Sequence, residues 1–124
     1  EAGNLLDAYV GLRREMESYT KYLKAWDRKA AIWGASHQGF TLAATTDLGK
    51  YVSYIIDSAP FKQGKYAPSS HLPIVGPDYF KEHPVDAIII TAPGYTEEIA
   101  SIIRRDFGEK VEVRAIRASH LETI

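Results

Sequence analysis

Three separated segments of this chain carry residue types that together could hold a nucleotide. They are Gly34-Ala35-Ser36-His37-Gln38-Gly39, then Asp57 with Lys62, Lys65 and Tyr66, and finally Tyr95. Glycines bounding a turn between a strand and a helix let a phosphate approach backbone N–H groups at the helix N-terminus. An acid about twenty residues further on, at the end of the next strand, can accept from a ribose hydroxyl. Asp57 stands in that place, after the apolar run Tyr51-Val52-Ser53-Tyr54-Ile55-Ile56. Lysines neutralise a diphosphate, and tyrosine rings can stack on a base or sugar. The fingerprint is imperfect: the central glycine of G-x-G-x-x-G is replaced by Ser36, whose side chain crowds the place where pyrophosphate needs bare backbone.

Each of these residues also has a plainer role. Gly34 and Gly39 are what any tight strand-to-helix turn needs for close packing. Asp57 can cap its own loop. Lys62 and Lys65 can be ordinary surface cations, Tyr66 and Tyr95 can simply pack, and His37 can be a solvated turn residue. Ser36 is no nucleophile elbow, because G-x-S-x-G would need glycine where Gln38 stands. His37, His71, His83 and His120 lack metal-ligand spacing, and without cysteine there is no zinc site to read. No carboxylate pair sits where acid–base work would need it. The pattern describes a binding edge, with no catalytic residue.

The elements that must position these residues follow from periodicity. Leu5, Tyr9, Leu12, Met16, Tyr19, Leu23 and Trp26 recur at steps of four and three, which predicts one amphipathic helix over residues 4–28. Beyond it the pattern alternates. Strands are expected at 29–33, 51–56, 87–91 and 111–116, with a short extended piece at 72–75. Helices are expected at 38–48, 77–81 and 96–107, ending at Gly49 and Gly108 where glycine stops them. Strand 111–116 alternates with charge and reads as a sheet edge. The expected fold is therefore α/β, a Rossmann-like doubly wound, mainly parallel sheet with helices on both faces and an added long N-terminal helix. Residues 1–28 would be a connector helix and 29–124 the α/β core of one domain. The loops after the first three strands should then meet at the carboxyl edge of the sheet, where such folds bind ligands.

Bulk composition agrees with one soluble domain: 124 residues, 45% hydrophobic and 25% charged. A net charge of −1 gives no pull toward nucleic acid or anionic membrane. Absence of cysteine excludes disulfides and fits a cytoplasmic address, and no apolar run approaches the roughly 20 residues of a membrane span. The chain opens on Glu1, which reads as a segment cut from a longer polypeptide.

The run Trp33-Gly34-Ala35-x-x-x-Gly39, the Ile56-Asp57 strand end, and Asp57-x-x-Pro60-x-Lys62-Gln63-Gly64-Lys65-Tyr66-x-Pro68-x-x-His71-x-Pro73-Ile74 resemble the C-terminal domain of SAM-dependent C-methyltransferases. These include enzymes acting on nucleotide-linked keto-deoxysugars, and the likeness runs from about residue 30 to 100. The resemblance implies a three-part plan: a zinc-binding module, a SAM-binding methyltransferase domain, and a Rossmann-like third domain that helps hold the sugar nucleotide. SAM, zinc and the catalytic base would belong to the missing upstream domains, with no cofactor in this one. The isolated domain would be inactive. Two positions depart from the family pattern, Gln38 where relatives commonly carry lysine and Ser36 where many carry glycine.

The expected partners are thus a nucleotide-linked sugar and the upstream methyltransferase domain of the same chain. The ligand would contact Gly34, Ser36, His37, Gln38, Gly39, Asp57, Lys62, Lys65, Tyr66 and Tyr95. The alternative is a freestanding Rossmann-like NAD- or CoA-binding sensor or scaffold. The stripe on the first helix leaves a homodimer of the isolated chain open.

Overall fold

A computed structural model describes residues 2–117 and 120–124, with side chains described for 10–117 and 121–124. The chain opens with helix α1 (Ala2–Ala25) and continues as β1 (Ala30–Trp33), α2 (His37–Thr45), α3 (Asp47–Tyr51), β2 (Ile55–Ile56) and β3 (Ile74–Val75). Then come α4 (Tyr79–Glu82), β4 (Ala87–Ile90), α5 (Thr96–Ile102), β5 (Glu112–Arg117) and β6 (His120–Thr123), with a π-helical turn at Ile103–Phe107 extending α5. One sheet runs in the order β3-β2-β1-β4-β5-β6, parallel throughout except for antiparallel β6. Strand order reverses between β1 and β4, and this reversal creates the crevice of a doubly wound fold.

The continuous apolar runs in β1 and β4 exist because each face of the sheet has its own core. Alternation sends Ala30, Ile32, Ala87 and Ile89 toward a core with Met16, Leu23, Leu42 and Leu48 of α1, α2 and α3. Ala31, Trp33, Ile88 and Ile90 face the second core, with Phe80, Ile99 and Ile103. Register pairs Ile32 with Ile89 and Trp33 with Ile90, so both strands end together beneath the loops that follow them.

α1 buries Met16, Tyr19, Thr20 and Leu23, with Leu12 partly covered. Trp26 departs from the expected stripe: α1 ends at Ala25, Asp27 turns the chain at φ 51, and the indole is 71% exposed. The side chains of Leu5 and Tyr9 lie outside the described residues. α1 is tied to β5 by Glu112, which accepts from Tyr19 Oη at 2.6 Å and Tyr22 Oη at 3.1 Å while facing Arg114 at 3.2 Å. Burial pushes the Glu112 carboxyl up, yet the Tyr19 hydrogen bond, the Arg114 charge and the Tyr22 hydrogen bond outweigh it and hold it below its ordinary value. Burial and then Glu112 itself drive the Tyr19 hydroxyl well above the usual tyrosine range.

Three expectations about elements are corrected. The single helix at 38–48 is two, because Thr46 is extended (φ −124, ψ 159) and its Oγ1 donates to Leu42 O at 2.7 Å. Gly49 lies inside α3, where a Cβ would stand 1.7 Å from Ala43 O; it permits α3 to fold back on α2 and does not stop a helix. Tyr51 therefore closes α3, and β2 shrinks to Ile55–Ile56. Finally, β5 is not an edge strand, since β6 pairs along it and Ile116 stands opposite Leu121.

Candidate functional site at the carboxyl edge of the sheet

The turn after β1 is built around two close approaches. Gly34 adopts φ +135, and a Cβ there would lie 2.6 Å from Thr91 Oγ1. Gly39, in the first turn of α2, would place a Cβ 2.2 Å from Gly34 O and 2.8 Å from Thr91 Oγ1. Both glycines thus let the start of α2 sit against the end of β4, with buried Thr91 between them donating to Gly34 O at 3.1 Å. Ser36 caps α2, accepting from Gly39 N–H at 3.5 Å and donating to Thr91 O at 3.2 Å.

Asp57 joins this turn to the next loop. Its Oδ2 accepts from Ala35 N–H at 2.9 Å, and its Oδ1 accepts from Ala59 N–H at 2.9 Å. Lys62 reaches back over the same turn: its Nζ donates to Ala35 O at 2.9 Å and lies 3.6 Å from Asp57 Oδ2. Gln63 Nε2 donates to Asp57 O at 2.9 Å and closes the loop from below. A carboxylate and an ammonium thereby fasten two loops together.

Between these loops and the start of α5 lies a cleft of about 510 Å³. It brings together Gly34, Ser36, Asp57, Lys62 and Tyr95 from three expected segments. Trp33, Ile99 and Ile102 form its apolar floor, and Ser58, Pro93 and Glu98 complete its polar and loop walls. The volume falls within the roughly 300–1,000 Å³ of small-molecule sites. With Asp57, Glu98 and Lys62 in its walls, the cleft offers acceptors for hydroxyl groups and one ammonium donor.

The other expected residues lie elsewhere. Gly39 is buried beneath the turn. His37 and Gln38 line a mainly apolar groove of about 270 Å³ with Leu12, Met16, Leu42 and Ile116, and Gln38 also lines a recess of about 440 Å³ with Pro93, Glu98 and Arg117. Lys65 and Tyr66 are carried outward. Gly64 N–H donates to Ile74 O and Ile74 N–H to Lys65 O, and Tyr66 bridges Pro73, so this stretch runs beside β3 with Tyr66 69% exposed. Sequence reasoning missed Glu98 and Thr91. Glu98 reads as an acid favouring a helix N-terminus, and Thr91 as the last residue of an apolar strand. No cluster of three His, Asp or Glu able to hold a metal occurs among the described residues. Among those residues, no helix is long and apolar enough to cross a membrane.

The comparisons with known proteins bear on both fold and family. A family profile described as the C-methyltransferase C-terminal domain matches residues 6–111. Among solved structures, the chain is similar to UDP-D-quinovosamine 4-dehydrogenase from Vibrio fischeri, with a TM-score of 0.61 and 19% identity over 78% of this chain and 93% of that one. It is also similar to RSP, a Rex-family repressor, solved with β-NAD⁺ and operator DNA (TM-score 0.54, 16% identity, 83% of this chain and 58% of that one). A second RSP structure gives a TM-score of 0.53 at 16% identity over 83% of this chain and 61% of that one. At such identities the likeness shows a Rossmann-like fold alone. No curated protein matches the sequence significantly.

Proposed function

Since this chain belongs to the C-methyltransferase C-terminal domain family, we propose that it is the substrate-holding part of a SAM-dependent C-methyltransferase whose substrate is a nucleotide-linked sugar. The observation that carries this reading is the switch-point cleft, where Gly34, Asp57, Lys62 and Tyr95 meet around about 510 Å³. Asp57 and Lys62 each retain hydrogen-bonding capacity beyond the contacts that fasten the loops. In this reading the carboxylate accepts from a ribose hydroxyl, the ammonium donates to the ligand, and the exposed Tyr95 ring covers it from the mouth. SAM supplies the methyl group from an upstream domain that also holds the zinc and the catalytic base. The chain by itself transfers no methyl group, and the enzyme works in the cytoplasm.

Thermal-shift and calorimetric titration with dTDP, UDP, their glucose conjugates, NAD, CoA and SAM test this reading. A ligand bound by the folded state alone raises the melting temperature by mass action. The expected result is a shift with the nucleoside diphosphates and their sugars, reduced in Lys62→Ala, and none with SAM. The likeness to a repressor solved with β-NAD⁺ favours a second reading, a freestanding NAD- or CoA-binding module. Ser36 at the central glycine position counts against it, because its side chain crowds the place where pyrophosphate needs bare backbone. A shift with NAD or CoA alone would reverse that preference.

A further inference from the structure

Glu98 lines the Asp57 cleft, is exposed to solvent, and makes no hydrogen bond or ion pair among the described residues. Its neighbour Glu97 pairs with Arg117 of β5. Both acids stand in the first turn of α5, where a carboxylate favours the positive end of the helix. That general preference does not tell them apart, whereas the pairing does. One acid is tied to the sheet, and the other keeps both oxygens free at the cleft wall.

Sheet order sets what lies opposite Glu98. The cleft spans the end of β1, with the loop after β2 on one side and the loop after β4 and α5 on the other. The β2 side brings Asp57, Ser58 and Lys62, and the α5 side brings Tyr95, Glu98, Ile99 and Ile102. Among the described residues of the lining, Lys62 is the one cation. Its ammonium keeps one N–H beyond those turned to Ala35 O and the Asp57 carboxylate. Glu98 disfavours a phosphate on the α5 side by like-charge repulsion. A nucleotide therefore lies one way round, with its diphosphate running out past Lys62, its ribose at Asp57 and its base against α5. Tyr95, 60% exposed, offers the base a ring, and Ile99 and Ile102 offer it an apolar floor. Such stacking accepts any base, because every base has a π-face. Selection falls to Glu98.

A carboxylate only accepts, through two oxygens set side by side. Adenine and cytosine each place one amino group beside a ring nitrogen that also accepts. Uracil and thymine place one N–H between two carbonyl oxygens, which repel a carboxylate. Guanine alone of the common bases presents two adjacent donors, the ring N1–H and the 2-amino group, which meet both oxygens at once in a charge-assisted pair. We infer that the nucleotide of the ligand is guanosine diphosphate and that Glu98 is the specificity-determining residue that reads its base. The inference rests on the proposed function above and adds the identity of the base. Other nucleoside diphosphates enter the same cleft more weakly, so the thermal shifts expected of dTDP and UDP remain.

The test compares calorimetric affinities of this chain for GDP, IDP, ADP and UDP in wild type and Glu98→Gln. IDP differs from GDP only in lacking the 2-amino group. Wild type should bind GDP about tenfold more tightly than IDP, the worth of one hydrogen bond to a charged acceptor, and more tightly than ADP or UDP. Glu98→Gln turns an amide N–H₂ toward one of the two donors, so GDP should lose its advantage over IDP while UDP binds as before. A merely structural role for Glu98 at the start of α5 would weaken every diphosphate alike and leave their ratios unmoved. GDP no tighter than IDP or UDP in wild type, or a GDP-to-IDP ratio that survives in Glu98→Gln, overturns the inference and leaves the proposed function standing. Wild type that binds none of the diphosphates overturns both.

Discussion

Replacing Asp57 by alanine separates a carboxylate that builds the cleft from one that only waits for a ligand. Three interactions are lost: the Ala35 N–H and Ala59 N–H hydrogen bonds, each at 2.9 Å, and the Lys62 ion pair at 3.6 Å. A hydrogen bond to a charged group contributes roughly 1.5–3 kcal/mol, and stranding a buried donor costs about 1–3 kcal/mol. Ala35 is 2% exposed, so its N–H recovers less from water than that of half-buried Ala59. The ion pair adds little, roughly 0–1 kcal/mol, because the Lys62 side chain is 33% exposed. Together these give a loss of about 3 kcal/mol, which in a domain of this size lowers the melting temperature by roughly 10 °C. Urea unfolding followed by circular dichroism measures this directly, with the midpoint falling and the slope unchanged. Asp57→Asn keeps one acceptor oxygen but turns an amide N–H₂ toward the other backbone donor, so it should lose about half as much. A loss below about 1 kcal/mol in Asp57→Ala refutes the reasoning, since the loops would then be joined by something other than this carboxylate.

Two further predictions concern the frame around the cleft. Glu112 has its carboxyl pKa lowered in the folded protein, so its contribution to stability is present above the unfolded value near 4.5 and is lost as pH falls through the folded value. Unfolding free energies measured from pH 6 down to pH 3 should fall with acid more gently in Glu112→Gln than in wild type, and parallel curves would show that the Tyr19–Glu112–Arg114 contact does not couple to folding. Gly39→Ala should destabilise by about 2 kcal/mol or more, because its Cβ meets the rigid Gly34 carbonyl at 2.2 Å. A thermal melt unchanged from wild type would mean that α2 does not start this close to β4.

Strong local signals made the fold legible. In β1 and β4 nearly every residue is apolar, which only a strand buried on both faces tolerates, and both lie within a residue of their expected bounds. The α1 stripe predicts the burial of Met16, Tyr19 and Leu23 because a helical period leaves no other common face. Shorter elements escaped. β2 is two residues long, and the apolar run that announced it belongs partly to α3, since Tyr51 can serve either a strand or a helix by pattern alone. β6 carries no period of its own; its pairing with β5 defines it.

The amino-acid sequence by itself determined the α/β class, the glycine turn, the strand-end acid and the family, because each depends on residues near one another in the chain. Which of the candidate residues share a cleft depended on the tertiary structure. Asp57 and Lys62 turn inward on Ala35 because its N–H and carbonyl need partners once buried, whereas Lys65 and Tyr66, three and four residues beyond Lys62, are drawn out along β3 by backbone pairing. Gln38 and Arg117 meet at one recess only because β5 lies beside β4, whose end packs against the start of α2. Local periodicity cannot encode such a meeting, since strand order in a sheet is chosen by which faces bury best against one another.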